Sequence, residues 1–309
     1  MRNGSARLQW VVRFCLVVCI AVGAFGLAAT ACAETRGSKQ RAVSTPPASG
    51  KLGDRWTNPE DGQVLVYLPA GEFIMGSTRA QVDAAIADKQ PEVRELWRAV
   101  FEAEMPQRRV QLSAYWIGRT PVTVAQYRRF CAATGKVMPS RPYWGWKADH
   151  PIVHVSWDDA KAYCDWAGLV LPTEAQWEKA ARGTDGRAYP CGNTFDAAKC
   201  VCSVVGRRTS TEPVGSMPSG ASIYGCLDMA GNVWQWCSDW YDEKYYATAP
   251  SRNPTGPASG SGRSLRGGSW YSYAPGDFRA ACRNYLLVVD PTYRGSDDGF
   301  RCVSRQDPG

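Results

Sequence analysis

Histidine is nearly absent: two of 309 residues, His150 and His154. No Ser/His/Asp arrangement, phosphate-cradling glycine loop or paired metal motif stands out. The two histidines are four apart, but Pro151 follows the first and PIVHVSW reads as strand. They read as hydrogen-bonded structural residues rather than ligands. Long periodic helices are also missing. With 30 Gly, 20 Pro and 13 Trp the chain reads as a loop-rich, aromatic-stapled fold. An apolar content of 44% excludes wholesale disorder. Charge of either sign is slight. The formal excess of +7 falls to about four once Arg2, Arg7 and Arg13 leave with a leader, which gives no argument for nucleic acid.

Beyond the N-terminus there is no long hydrophobic run. Phe14 to Ala29 carries no charge, follows a basic start and is short for a membrane span. Residues 1–33 therefore read as a signal peptide, lipoprotein-type or ordinary. One cleavage leaves Cys32 as a lipidated first residue, the other follows Ala33, and an uncleaved anchor is the third option. Export, to a periplasmic or lipid-anchored location, is the expectation. Nine cysteines then remain: Cys131, Cys164, Cys191, Cys200, Cys202, Cys226, Cys237, Cys282 and Cys302. In an oxidising compartment they should mostly pair, with at least one left over. The one-residue gap of Cys200-Val201-Cys202 is not the usual zinc spacing.

Residues 34–63 read as a flexible tether and 64–309 as the folded domain. Val64–Ser77 reads as a hairpin around a Pro-Ala-Gly turn. Arg79–Glu104 reads as two short helices broken at Pro91, forming a solvated surface insertion. A strand at Tyr115–Gly118 precedes a helix capped by Thr123. Ser156 with Asp159, and Thr173 with Gln176, mark two further helix starts; Gly168 and Gly183 end them. After Gly183 short aromatic strands and turns dominate.

These motifs occur in one order with YGCLDMAGNVWQWCSDWY (Tyr224–Tyr241), LRGGSW (Leu265–Trp270) and GFRCV (Gly299–Val303). That order resembles the formylglycine-generating enzyme family, the sulfatase-modifying factor domain. The resemblance implies an α+β fold, a variant of the C-type-lectin-like fold with little regular secondary structure. It also implies oxygen-dependent oxidation of a sulfatase cysteine to formylglycine, using Cu(I) on two cysteine thiolates. Here the first of those positions is Ser272. The second falls on Asp277, or near Ala274 or Pro275 once a short deletion is allowed. None is cysteine, so Cu(I) is not expected. Cys282 stands on the far side of that gap.

The resemblance further implies a disulfide between Cys164 and Cys302. A structural Ca2+ site would use Asp228, the carbonyls of Gly231 and Val233, and Gln235, weakened because Gln235 stands where the family has glutamate. Trp234, Ser269, Ser272 and Asp297 match pocket positions, and Tyr271 and Tyr273 add rings beside them. Two histidines leave no room for the histidine-rich iron domain of the sulfoxide-synthase relatives. Two functions stay open. One is a maturation factor or oxidoreductase with altered chemistry. The other is a non-catalytic peptide- or ligand-binding, or scaffold, lipoprotein module. Either expects a protein or peptide partner, no nucleic acid, and membrane contact only through a signal or lipid anchor.

Overall fold

The computed structural model describes residues 45–87, 89–284 and 290–305. The leader, Cys32 and the first part of the tether lie outside the described residues. Among the described residues no helix is long and apolar enough to cross a membrane.

The folded chain begins earlier than Val64. Strand β1 (Arg55–Thr57) pairs antiparallel with β2 (Val64–Leu68), and Asn58, Asp61 and Gln63 are buried between them. The Asn58 amide donates to the Ala167 carbonyl, and the Tyr163 hydroxyl donates to the Asp61 carboxylate. Residues 55–63 are thus an edge strand and a polar clasp, and the tether boundary moves back accordingly. The Asn58 and Asp61 side chains, part of the polar composition that suggested flexibility, are satisfied by these buried hydrogen bonds.

Val64–Ser77 is not a hairpin. Strands β2 and β3 (Gly71–Met75) do not pair with each other. β3 pairs with β4 (Arg108–Leu112), and β2 pairs with β5 (Tyr115–Gly118), all antiparallel. The Pro69–Ala70 kink moves the chain from one sheet to the next opposite the Ser113–Ala114 kink. Between β3 and β4 come α1 (Arg79–Ala87), a 3-10 turn at Pro91–Val93, and α2 (Arg94–Glu102). The break at Pro91 is as expected, but the pair is not a solvated insertion. Val82, Ala85, Ile86, Val100 and Phe101 are core residues, because the apolar face turns inward onto the loop after residue 274.

Three capped helices follow: α3 (Val124–Thr134), α4 (Trp157–Trp166) and α5 (Glu174–Arg182). Each carries a reciprocal capping box; two are legible in the sequence, and at the first helix only the cap Thr123 is. Thr123, Ser156 and Thr173 accept from the backbone of Gln126, Asp159 and Gln176, whose side chains accept in return. PIVHVSW forms no named strand. His154 has φ 58° and His150 Nδ1 lies 2.9 Å from Thr211 Oγ1. Burial lowers the His150 pKa, so it serves as a structural hydrogen-bonding group.

The last sheet runs β8 (Arg283–Asn284), β7 (Arg263–Arg266), β6 (Trp234–Trp240), β9 (Asp298–Gly299), with β6 and β9 parallel and the rest antiparallel. Four-residue α6 (Tyr245–Thr248) follows β6. This mixture of small sheets and short helices is the α+β, loop-rich class expected. Sheet and helices together frame one long loop, residues 267–282, between β7 and β8.

Candidate functional site

The 267–282 loop begins with two glycines that the geometry requires. Gly267 has φ 103°, and a Cβ there would stand 2.9 Å from the Trp177 ring. Gly268 has φ 73°, and a Cβ there would meet the Phe278 ring at 2.7 Å. The chain then turns outward. Ser269 Oγ donates to Asp297 Oδ2 at 2.8 Å, and the Ser269 N–H donates to Ser272 Oγ at 3.2 Å. Ser272 N–H returns to the Ser269 carbonyl. Both serines are buried. They form a closed hydroxyl turn with Asp297, whose pKa burial raises and the Ser269 bond partly lowers. A hydroxyl cannot replace a thiolate on a soft cation.

The other candidate ligand position is already engaged. Asp277 is buried and paired with Lys89 at 2.5 Å, and that ammonium lies 3.4 Å from the centre of the Trp97 ring. Pro275 begins a short 3-10 turn and Ala274 is buried. Cys282 lies in the main core, where burial pushes its thiol well up. The residues here do not fit Cu(I).

The expected Ca2+ positions do not fit a hard cation either. Gln235 Oε1 accepts from Trp177 Nε1 at 2.8 Å and from Arg301 Nε at 2.5 Å. Two donors fix the amide orientation. Its NH2 therefore faces inward, donating to the Asp228 carbonyl at 2.7 Å and toward the Val233 carbonyl at 3.5 Å. The Gly231 carbonyl accepts from Val233 N–H. Arg301 also donates to the Asp228 carbonyl. Asp228 is the one carboxylate, its pKa raised by burial. Carbonyls that a cation would need are occupied by N–H groups.

Trp234 is a core residue, 3% exposed. Its neighbours across the β6–β9 ladder hold it inward, so it offers no binding surface. Tyr271 and Tyr273 are 54% and 55% exposed, while Trp270 before them and Ser272 between them are buried. Trp270 is pinned by its N–H to the Asn232 carbonyl and its indole N–H to the Ser296 carbonyl. Two rings were missed in the sequence. Tyr143 packs edge-on to Trp144 (centroids 4.7 Å), Trp144 packs on Trp270 (5.5 Å), and Trp270 packs on Tyr271 (5.5 Å). Four rings thus form a continuous ridge. The run RPYWGW was the available signal, but nothing local places it 126 positions upstream of its partner.

Asp298 was also missed. It is fully buried at the β6–β9 junction. Neither carboxylate oxygen meets a side-chain donor among the described residues. Burial, then the nearby Asp297 carboxylate, raises its pKa well above 3.8, against a lowering by Gly295 N–H. The neutral acid is therefore the form that suits the fold. Its stabilisation is present below the ordinary carboxylate pKa and is lost as pH rises through the raised value. Asp298→Leu should gain about 1–3 kcal/mol at neutral pH by removing a buried carboxyl to which no side chain donates. It should also flatten the fall in stability toward alkaline pH. Urea unfolding of both proteins at a series of pH values checks this; a variant less stable at every pH contradicts it.

Residues 51–306 match the sulfatase-modifying factor enzyme 1-like domain. The chain belongs to the formylglycine-generating enzyme family. It is 33% identical to the formylglycine-generating enzyme of Streptomyces coelicolor, over 86% of this chain and 96% of that one. It is 32% identical to the Thermomonospora curvata formylglycine-generating enzyme, over 78% and 93%. Among solved structures, PvdO from Pseudomonas aeruginosa superposes with a TM-score of 0.68 at 26% identity, covering 82% of this chain and 99% of that one. The matched range starts before Val64, in agreement with the position of β1.

Proposed function

We propose that this family member uses its frame to bind an extended peptide or a small aromatic-bearing ligand on the Tyr143–Trp144–Trp270–Tyr271 ridge, without oxidising cysteine to formylglycine. The observation that carries this reading is the continuity of the ridge beside a loop whose Ser272 and Asp277 positions carry no thiol. Rings present large contact area with few rotatable bonds. Tyr273 extends the surface, while the Ser269–Asp297 turn beneath fixes its floor. The site is taken to work in an exported protein, whose partner is a protein or peptide.

The double change Tyr271→Ala with Tyr273→Ala should abolish capture of a peptide selected from a displayed random library on the intact protein. Because both rings stand in solvent, the melting temperature should move by no more than about 2 °C. Unchanged capture, or unfolding of the double variant, counts against the ridge. Separately, protein supplied with Cu(I), oxygen and a Cys-x-Pro-x-Arg peptide should leave the peptide mass unchanged. Turnover above background would return the chain to the family chemistry.

A further inference from the structure

Cys200 and Cys202 are not used by this reading. Cys200 is extended (φ −144°, ψ 156°), and Val201 between them makes a parallel bridge to Gly231. Residues two apart on an extended chain share a face. Both thiols are therefore directed to one side, where they pack with Tyr189 and Phe278 at 3% and 4% exposure. Cys191, half-buried, is close enough to Cys200 to bear on its charge. Cys226 sits in a different core cluster.

We propose that Cys200 and Cys202 are a dithiol–disulfide redox pair, exchanging electrons with low-molecular-weight disulfides and dithiols, and linked by Ser203 to the ridge. The proposal does not depend on the ligand-binding reading. The two sulfurs have unequal surroundings. Both cysteines lie in one small cluster, and the neighbouring Cys200 thiol, the Val204 and Val205 backbone and Arg208 lower the Cys202 pKa against its burial. Arg208 is held there by Nε to the Cys202 carbonyl at 3.0 Å. Cys202 consequently titrates at about 6 despite its burial. The neighbouring Cys202 sulfur, with burial, pushes the Cys200 thiol well up. A thiolate next to a protonated thiol is the arrangement that exchange uses. The turn supplying those backbone groups is itself at the surface, with Val205 80% exposed.

The chemistry balances. Cys202 thiolate attacks one sulfur of the incoming disulfide, forming a mixed disulfide and expelling a thiolate, which takes a proton from solvent. Cys200 then attacks Cys202 Sγ. The mixed disulfide breaks, and the second thiolate leaves with the proton Cys200 gives up. Two electrons pass from the protein to the small disulfide, and a Cys200–Cys202 bond remains. The next residue reports the change: Ser203 N–H donates to the Ser272 carbonyl at 2.9 Å, and Ser203 Oγ donates to the Trp270 carbonyl at 2.8 Å.

The test equilibrates the intact protein in glutathione buffers of graded poise, quenches with acid, alkylates and digests with trypsin. Lys199 and Arg207 bracket both cysteines in one peptide, Cys200–Arg207. The expected result is a single reversible two-electron transition, from a doubly alkylated peptide to one lacking two hydrogens and carrying no alkyl group. Tryptophan emission should shift at the same midpoint. In Cys200→Ser, Cys202 should accumulate as the glutathione mixed disulfide. Full alkylation at every poise overturns the proposal, as does bonding of either cysteine to Cys191 or another residue. The Tyr271→Ala/Tyr273→Ala variant should keep this transition unchanged, so failure of the ridge and failure of the thiol pair are read separately.

Discussion

Oxidised protein carrying Cys302→Ser is expected to be about 4–5 kcal/mol less stable than the parent, a drop of roughly 10–15 °C in melting temperature for a domain of this size. The sulfurs of Cys164 and Cys302 stand 3.1 Å apart, both buried and 138 positions apart in sequence. Cys164 is on the inward face of α4. Cys302 is held by its neighbour Val303, which bridges both Ile117 and Val170. Closing so long a loop removes much entropy from the unfolded chain, while the side chains are already adjacent in the fold. Burial, then the Cys164 thiol beside it, pushes the Cys302 thiol well up. As a free thiol Cys302 would therefore be slow to react once folded, so the bond is expected to close during folding. Melting curves of oxidised, reduced and Cys302→Ser protein measure the effect. Non-reduced peptide maps in which both cysteines are alkylated would contradict it.

Legibility of the fold followed the range of the interactions. The three helix starts could be read because Thr123 with Gln126, Ser156 with Asp159 and Thr173 with Gln176 bond within four residues. The separation of β2 from β3 could not, because it depends on partner strands 47–53 positions away for β2 and 33–41 for β3. The packing of α1 and α2 was hidden in the same way: their charges are visible locally, whereas the loop they cover lies near residue 276. At the site, alternation along Trp270–Tyr273 implies only that one of the two sets faces solvent if the segment is extended; the structure exposes Tyr271 and Tyr273. Trp234 was misplaced because an aromatic residue in a conspicuous motif looks alike whether buried or exposed. Trp144 joins the ridge only through the tertiary fold. Gln235 was recognised as a weakened cation ligand. Its role as a donor to the Asp228 carbonyl became visible once Trp177 and Arg301 fixed its orientation.

Arg283→Met should cost about 3–5 kcal/mol, because it leaves a buried carboxylate without its main partner. Arg283 and Glu174 are both buried, with Nη2–Oε2 2.8 Å and Nε–Oε1 3.0 Å. Arg266 bonds the same carboxylate at 3.2 Å and Glu178 at 2.9 Å; Arg182 completes the chain to Glu178 at 2.7 Å. Arg266 and Arg283 stand at the two ends of the 267–282 loop, so this network clamps the loop to α5. Burial alone would raise the Glu174 pKa, but Arg283 and then Arg266 outweigh it and hold the carboxylate below 4.5. Its stabilisation is therefore present above that value and lost as pH falls through the lowered one. In Arg283→Met the acid-side loss should shrink, since less stabilisation of the ionised form remains. Pairing Arg283→Met with Glu174→Met should cost less than Arg283→Met alone, because the stranded charge is gone. Urea unfolding across pH for the two single variants and the double variant gives the cycle. A single variant within about 1 kcal/mol of the parent would show the ion pair to be dispensable. Peptide capture separates the roles of the loop: Arg283→Met should weaken capture together with stability, whereas Tyr271→Ala/Tyr273→Ala should lose capture with stability intact.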